Sequence, residues 1–247
     1  MSDWIRTVDA SAHGRLLCLP YAGGGTADYR GWRDALPGTV DLCPVVLPGR
    51  ETRLGEAPFT DLHTLVRALA DSIAPLLRRA PFAIYGHSMG AWLGFELTRE
   101  LRRRRLPLPR HLIVGARRAP HVADPLPPLS GLPDDAFLAG MQERYGAIPD
   151  AIRASPDLLA LFLPALRADI TLLDGYVFEQ EPPLDVPITG LHGRGDPHVA
   201  AADVRSWSQH TTARFDMRAL FGDHFFVRDP GGEAADIVGG ILASQLR

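Results

Sequence analysis

Pro81-Phe82-Ala83-Ile84-Tyr85-Gly86-His87-Ser88-Met89-Gly90 is the stretch whose reading decides the fold. An apolar run from Pro81 to Tyr85 reads as a buried strand, and the residues after Gly90 continue in a helical pattern. Between them, Gly86-His87-Ser88-Met89-Gly90 fits the Gly-x-Ser-x-Gly nucleophile elbow. Its glycines let the backbone turn sharply and hold the serine strained, with its hydroxyl exposed. Five residues of this kind also occur in ordinary strand-to-helix turns, so the surrounding chain has to decide between the two readings.

Upstream, Arg15 to Pro20 is a near-continuous apolar run of the sort found in a parallel strand covered on both faces. It ends in Pro20-Tyr21-Ala22-Gly23-Gly24-Gly25, where three glycines let backbone N–H groups approach a ligand; the alternative is a flexible linker. A helical stretch over 29–36, a second strand over 40–47 and the turn Pro48-Gly49-Arg50 follow. Asp61 is placed to cap a helix whose apolar face is Leu62, Leu65, Val66, Leu69, Ile73, Leu76 and Leu77, with Pro75 predicting a kink or an earlier end.

Downstream of Ser88 the helix runs to about Arg105 and finishes in Arg102-Arg103-Arg104-Arg105. Cations there complement the helix macrodipole, and an acidic protein partner is the sharper alternative. A strand over 111–116 completes an alternation of strand and helix that requires a doubly wound, mostly parallel sheet flanked by helices. From 121 to 183 the alternation stops. Many prolines and helical patterns over 134–145, 156–163 and 164–176 predict a helical lid inserted above the sheet. Strands resume over 186–192 and 213–220, and an amphipathic helix over 234–246 closes one α/β domain spanning 1–247.

A serine hydroxyl is a weak nucleophile at neutral pH, so it needs a base within hydrogen-bond reach and a carboxylate to fix the base's tautomer. In the α/β-hydrolase arrangement, acid and histidine follow the serine in that order, each on a loop after a late strand. Asp196 and His224 occupy those places. His198 is the rival base and Asp223 the rival acid, while His87, next to the serine, cannot easily turn back onto it. Oxyanion donors are expected from the N–H of Met89 and from the glycine-rich loop, with Ala22 favoured over Tyr21.

The 247 residues, 46% hydrophobic and 22% charged with a formal net charge of -3, suit one large core and give no electrostatic case for nucleic acid. No apolar run is long enough to span a bilayer, and the first residues do not read as a leader, so a cytoplasmic protein is expected. Cys18 and Cys43 sit in strand-like runs and read as buried thiols, and no metal or cofactor spacing is found.

With these residues in place, the chain resembles the type II (external) thioesterases of polyketide and nonribosomal peptide synthases along nearly its whole length. The resemblance rests on Leu19 to Gly24, Leu47-Pro48-Gly49-Arg50-Glu51, the Ser88 elbow, Leu166-Arg167-Ala168-Asp169 and Gly222-Asp223-His224-Phe225-Phe226. It implies an α/β-hydrolase fold with a helical lid, and hydrolysis of acyl groups from the phosphopantetheine arm of acyl or peptidyl carrier proteins. Ser88, Asp196 and His224 would be the triad, with Ala22 and Met89 as oxyanion donors and no cofactor. Tyr21 stands where many relatives have histidine. Phe137, Met141, Leu158, Leu161, Phe162, Leu166, Ile170 and Tyr176 are expected to line or close an acyl channel, or to pack the lid onto the sheet. The same triad would serve an acyl-CoA hydrolase or a carboxylic esterase; a non-enzymatic carrier-protein adaptor would not need all three residues.

Overall fold

In the computed structural model, which describes residues 3–5, 8–146, 148–229 and 232–246, alternate residues of each central strand enter two separate apolar layers. Leu17, Leu19, Ile84, Leu112, Val114 and Ile188 face one layer, and Leu16, Cys18, Ala83, Tyr85, Ile113 and Leu191 face the other. Burial on both faces explains why these strands read as unbroken apolar runs. Met1, Ser2 and Arg6, part of the stretch read for a leader, lie outside the described residues.

In chain order the elements are β1 (Gly14–Leu19), β2 (Val40–Pro44), α1 (Leu62–Leu77), β3 (Phe82–His87), α2 (Met89–Arg103), β4 (Leu112–Gly115), α3 (Asp134–Tyr145), α4 (Asp150–Arg153), α5 (Pro156–Asp174), β5 (Ile188–Gly193), α6 (Ala201–Arg205), β6 (Phe215–Leu220) and α7 (Glu233–Gln245). The stretch read as a helix over 29–36 is a 3-10 run, Thr26–Ala35. The six strands pair in parallel in the order β2-β1-β3-β4-β5-β6. Strand order reverses between β1 and β3, so the loops leaving these two strands open a crevice at the sheet's carboxyl edge, where ligands of open α/β sheets bind. The glycine-rich loop leaves β1 and Ser88 leaves β3.

Neither internal proline ends its helix. α1 runs through Pro75 to Leu77, with Asp61 accepting from the Thr64 N–H as its cap, and α5 is one helix through Pro164 rather than two. Both prolines are exposed, as are Asp71 and Ala160 four residues before them, so the carbonyls deprived of a partner lie on the solvent side of each helix. Between β4 and β5, α3 and α5 enclose a small core of their own, built on Leu129, Phe137, Met141, Ile148, Leu166 and Ile170.

Candidate active site

At the turn between β3 and α2, Ser88 holds φ 51° and ψ -110°, a conformation that side chains rarely adopt. Neighbouring backbone enforces it. A methyl at Gly86 would overlap the Gly90 carbonyl, and one at Gly90 would overlap the carbonyl of Leu19. The Ser88 N–H donates to the Gly115 carbonyl at 2.8 Å, which fastens the turn to β4. Met89 starts α2, so its N–H has no carbonyl within the helix to bond and is oriented with the helix N-terminus.

His224, buried on the segment after β6, brings its Nε2 within 3.1 Å of Ser88 Oγ. Its Nδ1 lies 2.7 Å from Asp196 Oδ2. A carboxylate only accepts, so Nδ1 carries the proton and the Nε2 lone pair faces the serine hydroxyl. Burial alone would raise the pKa of Asp196. The hydrogen bond and charge of His224, with N–H donors from His198 at 2.9 Å and Val199 at 3.2 Å, outweigh that and hold the carboxyl below its ordinary value. Neither rival takes these places. His198 offers Asp196 its backbone N–H, and exposed Asp223 accepts from the Phe225 N–H at 2.7 Å. Chemically, this chain of groups is able to take a proton from Ser88 and hold the imidazolium that results.

Sequence reasoning assigned no role to His87, yet it supports the base. Its Nε2 lies 2.7 Å from the His224 carbonyl oxygen and its Nδ1 lies 2.8 Å from Tyr85 Oη. The carbonyl must accept, so Nε2 carries the proton and Nδ1 accepts from the tyrosine. Burial, followed by the proximity of His224, pushes the pKa of His87 down to about 3, so it stays neutral. A polar residue beside the serine, in an otherwise apolar strand, is the signal that could have found it.

Arg50 and Asp169, from two motifs that carried the resemblance, meet beneath the glycine-rich loop. Their side chains pair at 2.7 Å; Asp169 also accepts from the Gly23 N–H at 2.8 Å, and Arg50 donates to the Gly24 carbonyl at 3.1 Å. Tyr21 turns its hydroxyl away toward Asp28 and Arg228, while its ring lines the small cavity at Ser88. That cavity, about 20 Å³, is also walled by Ala22, Arg117, Met141, Tyr145, Ile170, Leu173, His224 and Phe225.

The eight apolar candidates divide. Met141 and Ile170 reach the Ser88 cavity, and Tyr176 lines an adjoining cavity of about 280 Å³. Phe137 and Leu166 are buried in the core between α3 and α5. Leu158, Leu161 and Phe162 instead line a separate groove with Gly49 and Arg50, and Leu158 and Leu161 remain 47% and 54% exposed. Phe162 also packs against the core between α3 and α5 and, with Leu166, lies against Gly23. The arginine run is likewise placed away from the site. It ends α2, whose 15 residues put it roughly 20 Å from Ser88 at about 1.5 Å per residue. There Arg102 and Arg103 bind Glu181, and Arg104 binds Glu100 and Asp71. Among the described residues no group of side chains suits a metal ion, and no helix is long and apolar enough to cross a membrane.

Residues 14–242 match the thioesterase domain family. Linear gramicidin dehydrogenase LgrE of Brevibacillus parabrevis is 38% identical over 249 residues, covering 99% of this chain and 94% of that protein. RedJ, the thioesterase from the prodiginine biosynthetic pathway in Streptomyces coelicolor, superposes with a TM-score of 0.84 at 36% identity, covering 97% of this chain and 91% of that one. BorB, the type II thioesterase from the borrelidin biosynthetic cluster, does so with a TM-score of 0.80 at 34% identity, covering 99% and 96%.

Proposed function

Because the chain belongs to the thioesterase domain family and has the α/β-hydrolase fold of its structural neighbours, we propose that it is a type II thioesterase with Ser88 as nucleophile, His224 as base and Asp196 as orienting acid. The observation that carries this reading is the unbroken contact from Ser88 Oγ to His224 Nε2 and from His224 Nδ1 to Asp196. Ser88 Oγ attacks the thioester carbonyl carbon while its proton passes to His224 Nε2. The N–H groups of Ala22 and Met89 receive the developing oxyanion. Collapse breaks the C–S bond, and the thiolate leaves with the proton from His224. Water then gives a proton to His224 and attacks the acyl carbon; Ser88 departs with that proton, freeing a carboxylic acid.

The thiol is the phosphopantetheine arm of an acyl or peptidyl carrier protein, a reading supported by the biosynthetic pathways named for RedJ and BorB. Residues 121–183 act as the lid of a single domain, and the enzyme works in the cytoplasm. The name of LgrE raises hydride transfer as a second reading. A dinucleotide would need the amides of the glycine-rich loop for its pyrophosphate. Here those amides already face carboxylates: Gly23 meets Asp169, Gly25 meets Asp28 at 3.2 Å and Thr26 meets Glu51 at 2.6 Å. That arrangement favours hydrolysis.

Ser88→Ala is expected to abolish turnover without unfolding the chain, leaving at most the roughly 10³- to 10⁴-fold advantage over water that binding and oxyanion donors supply. Comparing kcat/KM for one acyl group on a carrier protein and on coenzyme A tests the partner. The carrier is expected to be the better substrate, and equal values would assign a general acyl-CoA hydrolase instead.

A further inference from the structure

Arg117 lies two residues after the end of β4 and is buried, with 6% of its surface exposed. Its guanidinium lies over the Trp92 ring at 3.6 Å and has no ion-pair or hydrogen-bond partner among the described residues; the Nε in particular is fully enclosed. Stacking on an indole satisfies the face of a guanidinium and leaves its N–H donors in the plane unanswered. The next residue is a control. Arg118, equally buried, reaches Asp124 at 3.2 Å, the His198 carbonyl at 2.8 Å and the Ala123 carbonyl at 3.1 Å. Burial pulls the Arg117 guanidinium below its ordinary pKa, with attraction from groups that include Asp124 and Asp174 opposing the shift. A buried cation without a hydrogen-bonded partner is costly, and an acceptor on a ligand within reach of its terminal N–H groups would offset that cost.

The position of Arg117 identifies that ligand. It lines both the cavity at Ser88 and the adjoining cavity of about 280 Å³, whose walls also include Trp92, Tyr145, Ile170 and Leu173. That volume lies just under the roughly 300 Å³ at which ligand pockets begin, which suits a short acyl unit. Arg117 and Arg144 bring two positive charges to the larger cavity, and Asp124 and Asp174 bring two negative ones. Asp174 is held by the N–H groups of Leu129 and Ser130, and Asp124 by Arg118. With Arg118 already paired to Asp124, the lining keeps one positive charge in excess, so the unanswered donors of Arg117 match an oxygen acceptor on the ligand.

We propose that Arg117 is a specificity-determining residue: it donates to an oxygen on the acyl chain beyond the thioester carbonyl, so the favoured substrates are short β-oxo or β-hydroxy acyl thioesters rather than plain alkyl ones. This rests on the thioesterase reading above. The amide carbonyls of a pantetheine arm have the same acceptor chemistry and are the competing source.

The test compares 3-oxobutyryl with butyryl, groups of equal chain length, each as a thioester of pantetheine and of ethanethiol, which has no amide. Wild type is expected to favour 3-oxobutyryl in kcat/KM by roughly tenfold to a hundredfold on both thiols, the range of a hydrogen bond to a charged group. Arg117→Met, which retains packing on Trp92, should bring that ratio near one. A wild-type ratio near one, or a ratio unchanged in the variant, overturns the proposal. Equal losses on both acyl groups confined to pantetheine also overturn it, by assigning Arg117 to the arm. Should Arg117→Met fail to fold, inhibition of wild type decides the matter: 3-hydroxybutyrate inhibiting more tightly than butyrate supports the proposal, and equal inhibition overturns it. If wild type hydrolyses none of the four thioesters, or Ser88→Ala hydrolyses them equally well, the thioesterase reading fails first and takes this one with it.

Discussion

A methyl group added at Gly86 or Gly90 would overlap neighbouring backbone, whereas one added at Gly131, in the excursion between β4 and β5, would meet nothing within 4 Å. The two regions are shaped by different forces. At the elbow, main chain presses on main chain and the geometry has one solution. In the excursion, a small cluster of side chains between α3 and α5 supplies the cohesion, and exposed apolar residues such as Leu158 and Leu161 lie around it. Substitutions at the elbow should therefore act as all-or-none changes, and those in the excursion as graded ones. Asp169 of α5 ties the excursion to the glycine-rich loop beside the elbow, through Gly23 and Arg50.

The sharpest way to break this comparison is to add the methyl. Gly90→Ala is expected to lower kcat by about a hundredfold or more, since a shift of about 1 Å at a reacting group has that effect, while Gly131→Ala leaves kcat unchanged. Comparable losses in both variants would refute the distinction. Asp169→Asn comes next. It leaves the buried Arg50 without its counter-charge, so urea unfolding should show a loss of about 3 kcal/mol, with kcat falling more than KM rises because the loop bearing Ala22 loosens. A stability loss with unchanged kcat would make the pair a purely structural tie.

Acid sensitivity should belong to the sheet side. His87 has a folded pKa of about 3 against about 6.5 when unfolded, so between those pH values the unfolded chain binds the extra proton and stability falls as pH drops. His111 and His210, both pushed down to about 4 chiefly by burial, act in the same direction. Unfolding curves at pH 7 and pH 5 should show His87→Asn removing about 1.4 kcal/mol per pH unit of slope within that window. An undiminished slope would mean that His87 is charged in the fold. The smallest effects are in the excursion: Ile170→Val should cost about 1 kcal/mol and shift acyl-length preference, while Leu161→Ala should stay within about 0.5 kcal/mol and leave the preference alone. A changed profile in Leu161→Ala would bring the outer groove into the acyl path.

The same contrast explains what the sequence made legible. The elbow, the glycine-rich loop and Asp196 each follow an apolar run and His224 follows the last strand, so strand ends and turns locate them within about four residues. What was not readable is that α5 continues through Pro164, which suggested two helices, and that Leu158 and Leu161 toward its start are left exposed beside Arg50. A proline whose deprived carbonyl faces solvent is tolerated, and local sequence does not say which side is solvent. The roles of His87 and Asp169 were obscured for another reason: besides Tyr85 and Arg50, they bond the His224 carbonyl and the Gly23 N–H, backbone groups 137 and 146 residues away that leave no side-chain signature.

Ser88 and His224 are themselves 136 residues apart, one early in the sheet and the other after its last strand. On a ribosome, the turn bearing the serine emerges long before the imidazole proposed to activate it. At about 5–20 residues per second the interval is roughly 7–27 s. Through that time the nascent chain carries the serine without its proposed base, so under the proposed mechanism an enzyme able to cut thioesters is made in an inert form and becomes active only when β6 has joined the sheet edge and the segment after it has closed over the site.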